Sequence, residues 1–210
     1  MIYRNIIFDL CGPLIKIDVN LINQALHQLG LPSAQGYDEL HEAGLIKQYD
    51  RGLITPAEFA AEACKVWHYE LPCDLLWEAW NKVVYDFDVR HVQTVMDLRK
   101  RGVKTFLLSN SDVVNAEYFC RYMDQRAGMA FSKLGFDQLF FSCTIHSRKP
   151  DVETFEKVLQ LGGMRPDETL LIDDSRKNCL GAAKTGMQVH YLADGEEIED
   201  VVKRDWFEVC

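Results

Sequence analysis

Asp9 ends the apolar run Ile6-Ile7-Phe8 and precedes Leu10-Cys11-Gly12-Pro13-Leu14, which sets a carboxylate beside a glycine turn at the C-terminal end of an expected buried strand. That edge is where parallel α/β sheets do their chemistry. Three other polar groups recur in the same setting. Ser109-Asn110 follows Thr105-Phe106-Leu107-Leu108, Lys149-Pro150 comes after Leu139-Phe140-Phe141-Ser142, and Asp173-Asp174 follows Leu170-Leu171-Ile172. A carboxylate nucleophile, a hydroxyl with backbone N–H groups, an ammonium and an acidic pair are what phosphoryl transfer to an aspartate requires. The lysine and the N–H donors would hold phosphoryl oxygens. A divalent cation held by Asp9 and the acidic pair would remove the repulsion between an anionic nucleophile and an anionic substrate.

Each group also has a plainer reading. Asp173-Asp174 could cap the following helix, Ser109 could be a turn residue, and Lys149 a solvated charge. Arg148 reads first as a surface cation. Trp67, Trp77 and Trp80 read as core anchors among leucines and alanines at helical spacing. The six histidines form no HxH or HExxH pattern, so spacing alone gives no histidine metal site.

The elements that must position these residues fall into two blocks. After a first strand over Tyr3 to Phe8, the chain is helical from about Val19 to Tyr85, with no convincing strand. Asp18 is placed to cap a helix carrying Ile22, Ala25, Leu26 and Leu29 that stops at Gly30, and a second helix spans Tyr37 to Tyr49. Thr55-Pro56-Ala57-Glu58 supplies N-cap, N1 proline and N3 glutamate of a capping box. A further helix carries Leu75, Leu76, Ala79 and Val83. Beyond Asp88 the pattern alternates: helix Val89 to Arg101, strand Val103 to Leu108, helix from about Val113, strand Leu139 to Ser142, helix Val152 to Leu161, strand Leu170 to Ile172, helix Lys177 to Thr185, strand Val189 to Leu192. Met123 to Phe136 reads as a loop with a short helix. Strands joined by helices of this length imply a parallel sheet with right-handed crossovers. The expected fold is therefore α/β: a Rossmann-like parallel-sheet core over residues 1–16 and 88–210, with a helical cap, residues 17–87, inserted after the first strand.

Composition narrows the function class. The 210 residues carry a formal charge of −9 and 48% apolar content, enough for a packed core and unfavourable for a sequence-independent grip on nucleic acid or an anionic membrane. A small phosphorylated metabolite suits such a chain better. Seven cysteines without a CxxC pair read as reduced thiols, and no run is long enough to span a bilayer, so a cytoplasmic location is expected. Oligomeric state is not legible.

In order, Phe8-Asp9-Leu10-Cys11-Gly12-Pro13-Leu14, Leu108-Ser109-Asn110, Arg148-Lys149-Pro150 and Ile172-Asp173-Asp174-Ser175 resemble the four motifs of the haloacid dehalogenase superfamily. The likeness spans essentially the whole chain. It is greatest to the branch of the alpha-D-glucose-1-phosphatases and the N-terminal phosphatase-like domain of soluble epoxide hydrolase, because Asp50-Arg51-Gly52, Asn178 and Gly181-Ala182 also sit in family-like order.

The resemblance implies a Mg²⁺-dependent phosphatase in which Asp9 becomes aspartyl-phosphate, Ser109 and Asn110 meet the phosphoryl oxygens and Lys149 bridges nucleophile and phosphate. It further implies Mg²⁺ on Asp9, the Cys11 backbone carbonyl and Asp174, with Asp173 in support. Cys11 stands where typical members place a second, acid–base aspartate. A thiol there favours a substrate with a good leaving group, such as a sugar 1-phosphate. Two alternatives stand beside this reading: a catalytically impaired relative that binds a phosphorylated metabolite or a protein, and a metal-independent 2-haloacid dehalogenase. The acidic pair Asp173-Asp174 favours metal-assisted phosphate hydrolysis over the latter.

Overall fold

The computed structural model describes residues 3–128 and 135–203. Five parallel strands form one sheet in the order β5-β4-β1-β6-β7, made of β1 (Asn5–Phe8), β4 (Lys104–Ser109), β5 (Gln138–Phe141), β6 (Thr169–Asp173) and β7 (Gln188–Tyr191). The central strand β1 pairs with β4 and β6, with Phe8 opposite both Leu107 and Ile172. Side chains alternate between the faces with the period of two that a pleated strand imposes. Ile6, Phe8, Leu107, Leu170 and Ile172 enter one apolar cluster; Ile7, Phe106, Leu108 and Leu171 enter the other. A sheet buried on both faces explains the continuous apolar runs.

Helix α6 (Val89–Lys100) and helix α7 (Val113–Ala127) cover the first face through Val92, Val95, Leu98, Ala116, Phe119 and Met123. Helix α9 (Val152–Gly162) and helix α10 (Arg176–Ala183) cover the second through Phe155, Val158, Leu159 and Ala182. The expected strand from Leu139 to Ser142 ends at Phe141, and Ser142 opens the short helix α8 (Ser142–Ile145). The irregular stretch read over Met123 to Phe136 falls partly on α7, which runs on to Ala127, while residues 129–134 and Cys210 lie outside the described residues.

Between the first and second core strands lie helices α1 (Val19–Gln28), α2 (Gly36–Glu42), α3 (Leu45–Asp50), α4 (Pro56–Trp67) and α5 (Cys73–Trp80). Asp18 caps α1 by accepting from the Asn20 N–H, and Thr55 and Glu58 form the full capping box of α4. The single helix expected over Tyr37 to Tyr49 is two helices, divided at Gly44, whose φ of 75° leaves the right-handed helical region. The expectation of no strand from about Val19 to Tyr85 is also corrected at its end, where a strand begins at Val84. Strands β2 (Ile15–Ile17) and β3 (Val84–Phe87) pair antiparallel, so the chain leaves for the helices and returns through one two-stranded ribbon. Segments this short carry too few residues for periodicity to register.

Candidate active site

The parallel register brings the ends of β1, β4 and β6 to one edge. Asp9 directly follows β1 and its N–H donates to the Ile172 carbonyl at 2.9 Å, which fixes it level with the end of β6. From there Asp9 Oδ1 and Asp173 Oδ2 each lie 2.8 Å from Lys149 Nζ. Lys149 is only 1% exposed, which rules out the reading of a solvated charge. An ammonium so deeply buried is tolerable only when paired. Burial alone would lower the Lys149 pKa, but the two carboxylates outweigh it and leave it raised.

Asp173 is fully buried and held from several sides. Its Oδ1 accepts from the Ser175 N–H at 2.8 Å, and the Asn178 amide donates to both oxygens at 3.0 Å. The helix-cap reading of the acidic pair is overturned, since the N-cap of α10 is Ser175, which receives the Asn178 N–H. Asp174 stands more exposed, above the turn after β1. Asp9, Asp173 and Asp174 each bring a carboxylate oxygen within 4.8 Å of the others. Three carboxylates against one ammonium leave two negative charges in excess, and the Asp9 carboxyl is pushed up to about 7 by burial, with Lys149 opposing and Asp173 adding to the rise.

This all-oxygen donor set fits a hard divalent cation such as Mg²⁺. Asp9 Oδ1 is engaged by Lys149 and by the Leu10 N–H at 2.6 Å, whereas Oδ2 has no hydrogen-bond partner among the described residues. Gly12, with φ of 103°, keeps the turn close beneath Asp174, where a β-carbon would collide with the carboxylate.

The neighbouring residues divide into those that face this cluster and those that hold its parts. Ser109 is buried, and its hydroxyl shares a 2.7 Å hydrogen bond with that of Ser111. The Asn110 amide is spent on the Lys149 main chain, donating to its carbonyl and accepting its N–H, both at 2.9 Å. Gly181 on α10 packs against the Pro150 carbonyl with no room for a β-carbon, so α10 presses directly on the loop that carries Lys149. The Cys11 thiol is raised strongly, first by burial and then by the Asp9 charge.

The crevice continues between the sheet edge and the helices. A cavity of about 190 Å³ is lined by Cys11, Tyr37, His41, Asp50, Asn115 and Arg148, among others. Arg148 is no free surface cation, because its guanidinium reaches Asp50 Oδ2 at 3.1 Å. The Trp80 indole N–H donates to buried Asp112 at 2.9 Å, tying α5 to the start of α7. A larger cavity of about 470 Å³ lies at the opposite sheet edge beside Arg4, Arg101 and Lys104, away from the carboxylates. Ser111, Asp112 and the Asp50–Arg148 pair escaped the sequence reading. Only Ser111, two residues beyond Ser109, left a local signal.

Comparison with known proteins places this geometry. The family model described as haloacid dehalogenase-like hydrolase matches residues 3–186. The D-ribitol-5-phosphate phosphatase of Bacteroides thetaiotaomicron is 26% identical over 195 residues, covering 92% of this chain and 94% of that protein. A solved HAD family enzyme of the same organism, bt-2542, in complex with magnesium and inorganic phosphate, superposes with a TM-score of 0.85 at 26% identity, over 95% of this chain and 98% of that one. L-2-haloacid dehalogenase from Xanthobacter autotrophicus shares the fold, with a TM-score of 0.59 at 18% identity over 90% of this chain and 76% of that one.

Proposed function

Because the chain belongs to the haloacid dehalogenase-like hydrolases, we propose that it is a Mg²⁺-dependent phosphatase that hydrolyses a small phosphate monoester, of the sugar or sugar-alcohol class, through an aspartyl-phosphate on Asp9. The observation that carries this reading is the convergence of Asp9, Lys149, Asp173 and Asp174 at one sheet edge. The similarity to a ribitol phosphate phosphatase and to a magnesium and phosphate complex supports it.

Asp9, Asp174 and the Cys11 backbone carbonyl would hold Mg²⁺, with Asp173 in support. The ion supplies charge neutralisation that lets an anionic carboxylate approach an anionic phosphate. Asp9 then attacks phosphorus, forming the Asp9 O–P bond as the bond to the leaving oxygen breaks. Lys149, already on Asp9 Oδ1, offers its ammonium to a phosphoryl oxygen, and Ser109 its hydroxyl. Asn110 serves through its grip on the Lys149 main chain, which leaves its backbone N–H as its contribution to phosphate. Water next attacks the aspartyl-phosphate, releasing inorganic phosphate and restoring Asp9.

Cys11 shapes the first step. Its thiol, raised by burial and by Asp9, stays protonated and is a weak acid, so the leaving oxygen draws its proton from solvent. Within the proposed class, anomeric sugar phosphates, whose leaving group is the more acidic, should therefore turn over faster than sugar-alcohol phosphates.

Residues 17–87 act as the cap. The two strands of the β2–β3 ribbon carry the chain between them and the core, and Arg148–Asp50, Trp80–Asp112 and Arg51–Asp151 are among the polar contacts between the two parts that support closure. Such a cap holds back bulk water, while admitting the molecules that protonate the leaving oxygen and attack the aspartyl-phosphate, and reads the organic part of the substrate. Tyr37, His41, Asp50 and Asn115 give the cavity the hydrogen-bonding character that hydroxyl groups need. Six free cysteines among the described residues support a reducing, cytoplasmic setting. A panel of sugar, sugar-alcohol and aryl phosphates with Mg²⁺, scored by phosphate release and repeated with Asp9→Asn, tests the reading. Absence of Mg²⁺-dependent turnover on every member would reject it.

A further inference from the structure

Outside the crevice, His91 on α6 meets two glutamates from the chain's C-terminal part. His91 Nε2 lies 3.1 Å from Glu197 Oε2 and 3.8 Å from Glu199 Oε2, where Glu197 is the N-cap of helix α11 (Ile198–Val202). The His91 side chain is 2% exposed, so the ring cannot turn to water for a partner. We propose that His91, Glu197 and Glu199 form a second cation site, selective for a borderline first-row ion of the Zn²⁺ type.

The tautomer carries the inference. His91 Nδ1 is 3.1 Å from the Leu14 carbonyl oxygen, which can only accept, so Nδ1 holds a proton. In the neutral ring Nε2 is then a lone pair facing two carboxylates, an arrangement that calls for a positive charge between them. A proton on Nε2 satisfies Glu197 alone. Glu199 Oε1 accepts from the Thr94 hydroxyl at 3.2 Å, but its Oε2 is shut off from solvent and has no hydrogen-bond partner. A divalent ion engages all three ligands at once.

The spacing agrees. Ligand atoms around a tetrahedral Zn²⁺ with bonds of about 2.0–2.1 Å lie roughly 3.4 Å apart, between the two separations found here. A ligating histidine also characteristically donates its other N–H to a carbonyl, as His91 does to Leu14. Imidazole selects Zn²⁺ over Mg²⁺, so this site and the all-oxygen cluster at Asp9 sort different ions. Glu197 is the more open ligand, leaving a side for entry and for a water ligand. Filled, the site pins α11 and α6 to the turn that follows Asp9.

The test uses chelator-stripped, fully reduced protein with Mg²⁺ in large excess, titrated with Zn²⁺ by equilibrium dialysis and with Co²⁺ by absorption. At free Zn²⁺ near the wild-type dissociation constant of this site, wild type should hold clearly more Zn²⁺ per chain than His91→Ala or Glu199→Gln, whose affinity there should fall on the order of tenfold or more. Zn²⁺ should raise the melting temperature of wild type only, and Co²⁺ should give ligand-field bands without thiolate charge transfer. Glu199→Gln keeps shape and decides the matter should His91→Ala fail to fold. Equal uptake by wild type and Glu199→Gln, or a thiolate band showing the ion on cysteine, would overturn the site.

Discussion

Asp174 lies directly over the main chain of Gly12, so the proposed metal ligand after β6 and the turn after β1 occupy one space that no side chain at position 12 can share. Gly12→Ala therefore has to move the carboxylate while also placing alanine at a φ of 103°. The expected result is a loss of stability of roughly 1–3 kcal/mol together with weaker Mg²⁺ dependence of turnover. Thermal melts and Mg²⁺ titrations on the same sample check both, and an unchanged Mg²⁺ midpoint would separate Asp174 from the metal.

Asp9→Asn keeps the shape of the buried cluster but removes the proposed nucleophile and one proposed metal ligand. Turnover should fall at least about a thousandfold, with circular dichroism unchanged. Appreciable activity in the purified variant would sink the covalent route.

Asp174→Ala should raise the Mg²⁺ concentration for half-maximal activity on the order of tenfold or more. Ser175→Ala removes only the N-cap of α10 and should cost roughly 1 kcal/mol of stability with little change in Mg²⁺ dependence. Coincident Mg²⁺ curves for the two variants would reject the ligand assignment.

Cys11→Asp supplies the acid that the thiol does not. At saturating Mg²⁺, hydrolysis of alkyl phosphates should rise by about 10²- to 10⁴-fold, with aryl and anomeric phosphates gaining less. Rates across leaving groups of graded pKa, with single-turnover kinetics to separate formation from breakdown of aspartyl-phosphate, measure this. An unaltered leaving-group dependence would clear Cys11 of any limiting role.

Asp50 is raised to about 7, with burial the main cause and Arg148 opposing. A carboxyl raised in the folded chain binds its proton more tightly there, so its contribution to stability is complete below roughly pH 4 and is lost as pH rises through about 7. Relative to Asp50→Asn, the wild type should lose melting temperature over that window and stay level above it. Parallel melts from pH 4 to pH 8 check the sign.

Apolar runs closed by a polar residue made the core legible in the sequence. Ile6-Ile7-Phe8 before Asp9 and Leu170-Leu171-Ile172 before Asp173 are strands because both faces of the sheet are buried, and a parallel sheet must bring their ends to one edge. Local rules likewise determined the caps at Asp18 and Thr55, whose partners lie within three residues. Contacts that cross long stretches of chain left no such trace. Only the fold decided that Lys149 is buried between Asp9 and Asp173, that the Asn110 amide is spent on the Lys149 main chain, and that Ile15–Ile17 finds Val84–Phe87. The same holds for His91, which no motif joins to Glu197 and Glu199 and which meets them because α11 packs on α6. Burial and charge pairing depend on what surrounds a side chain in space, and sequence spacing reports that only when the neighbours belong to the same helix or strand.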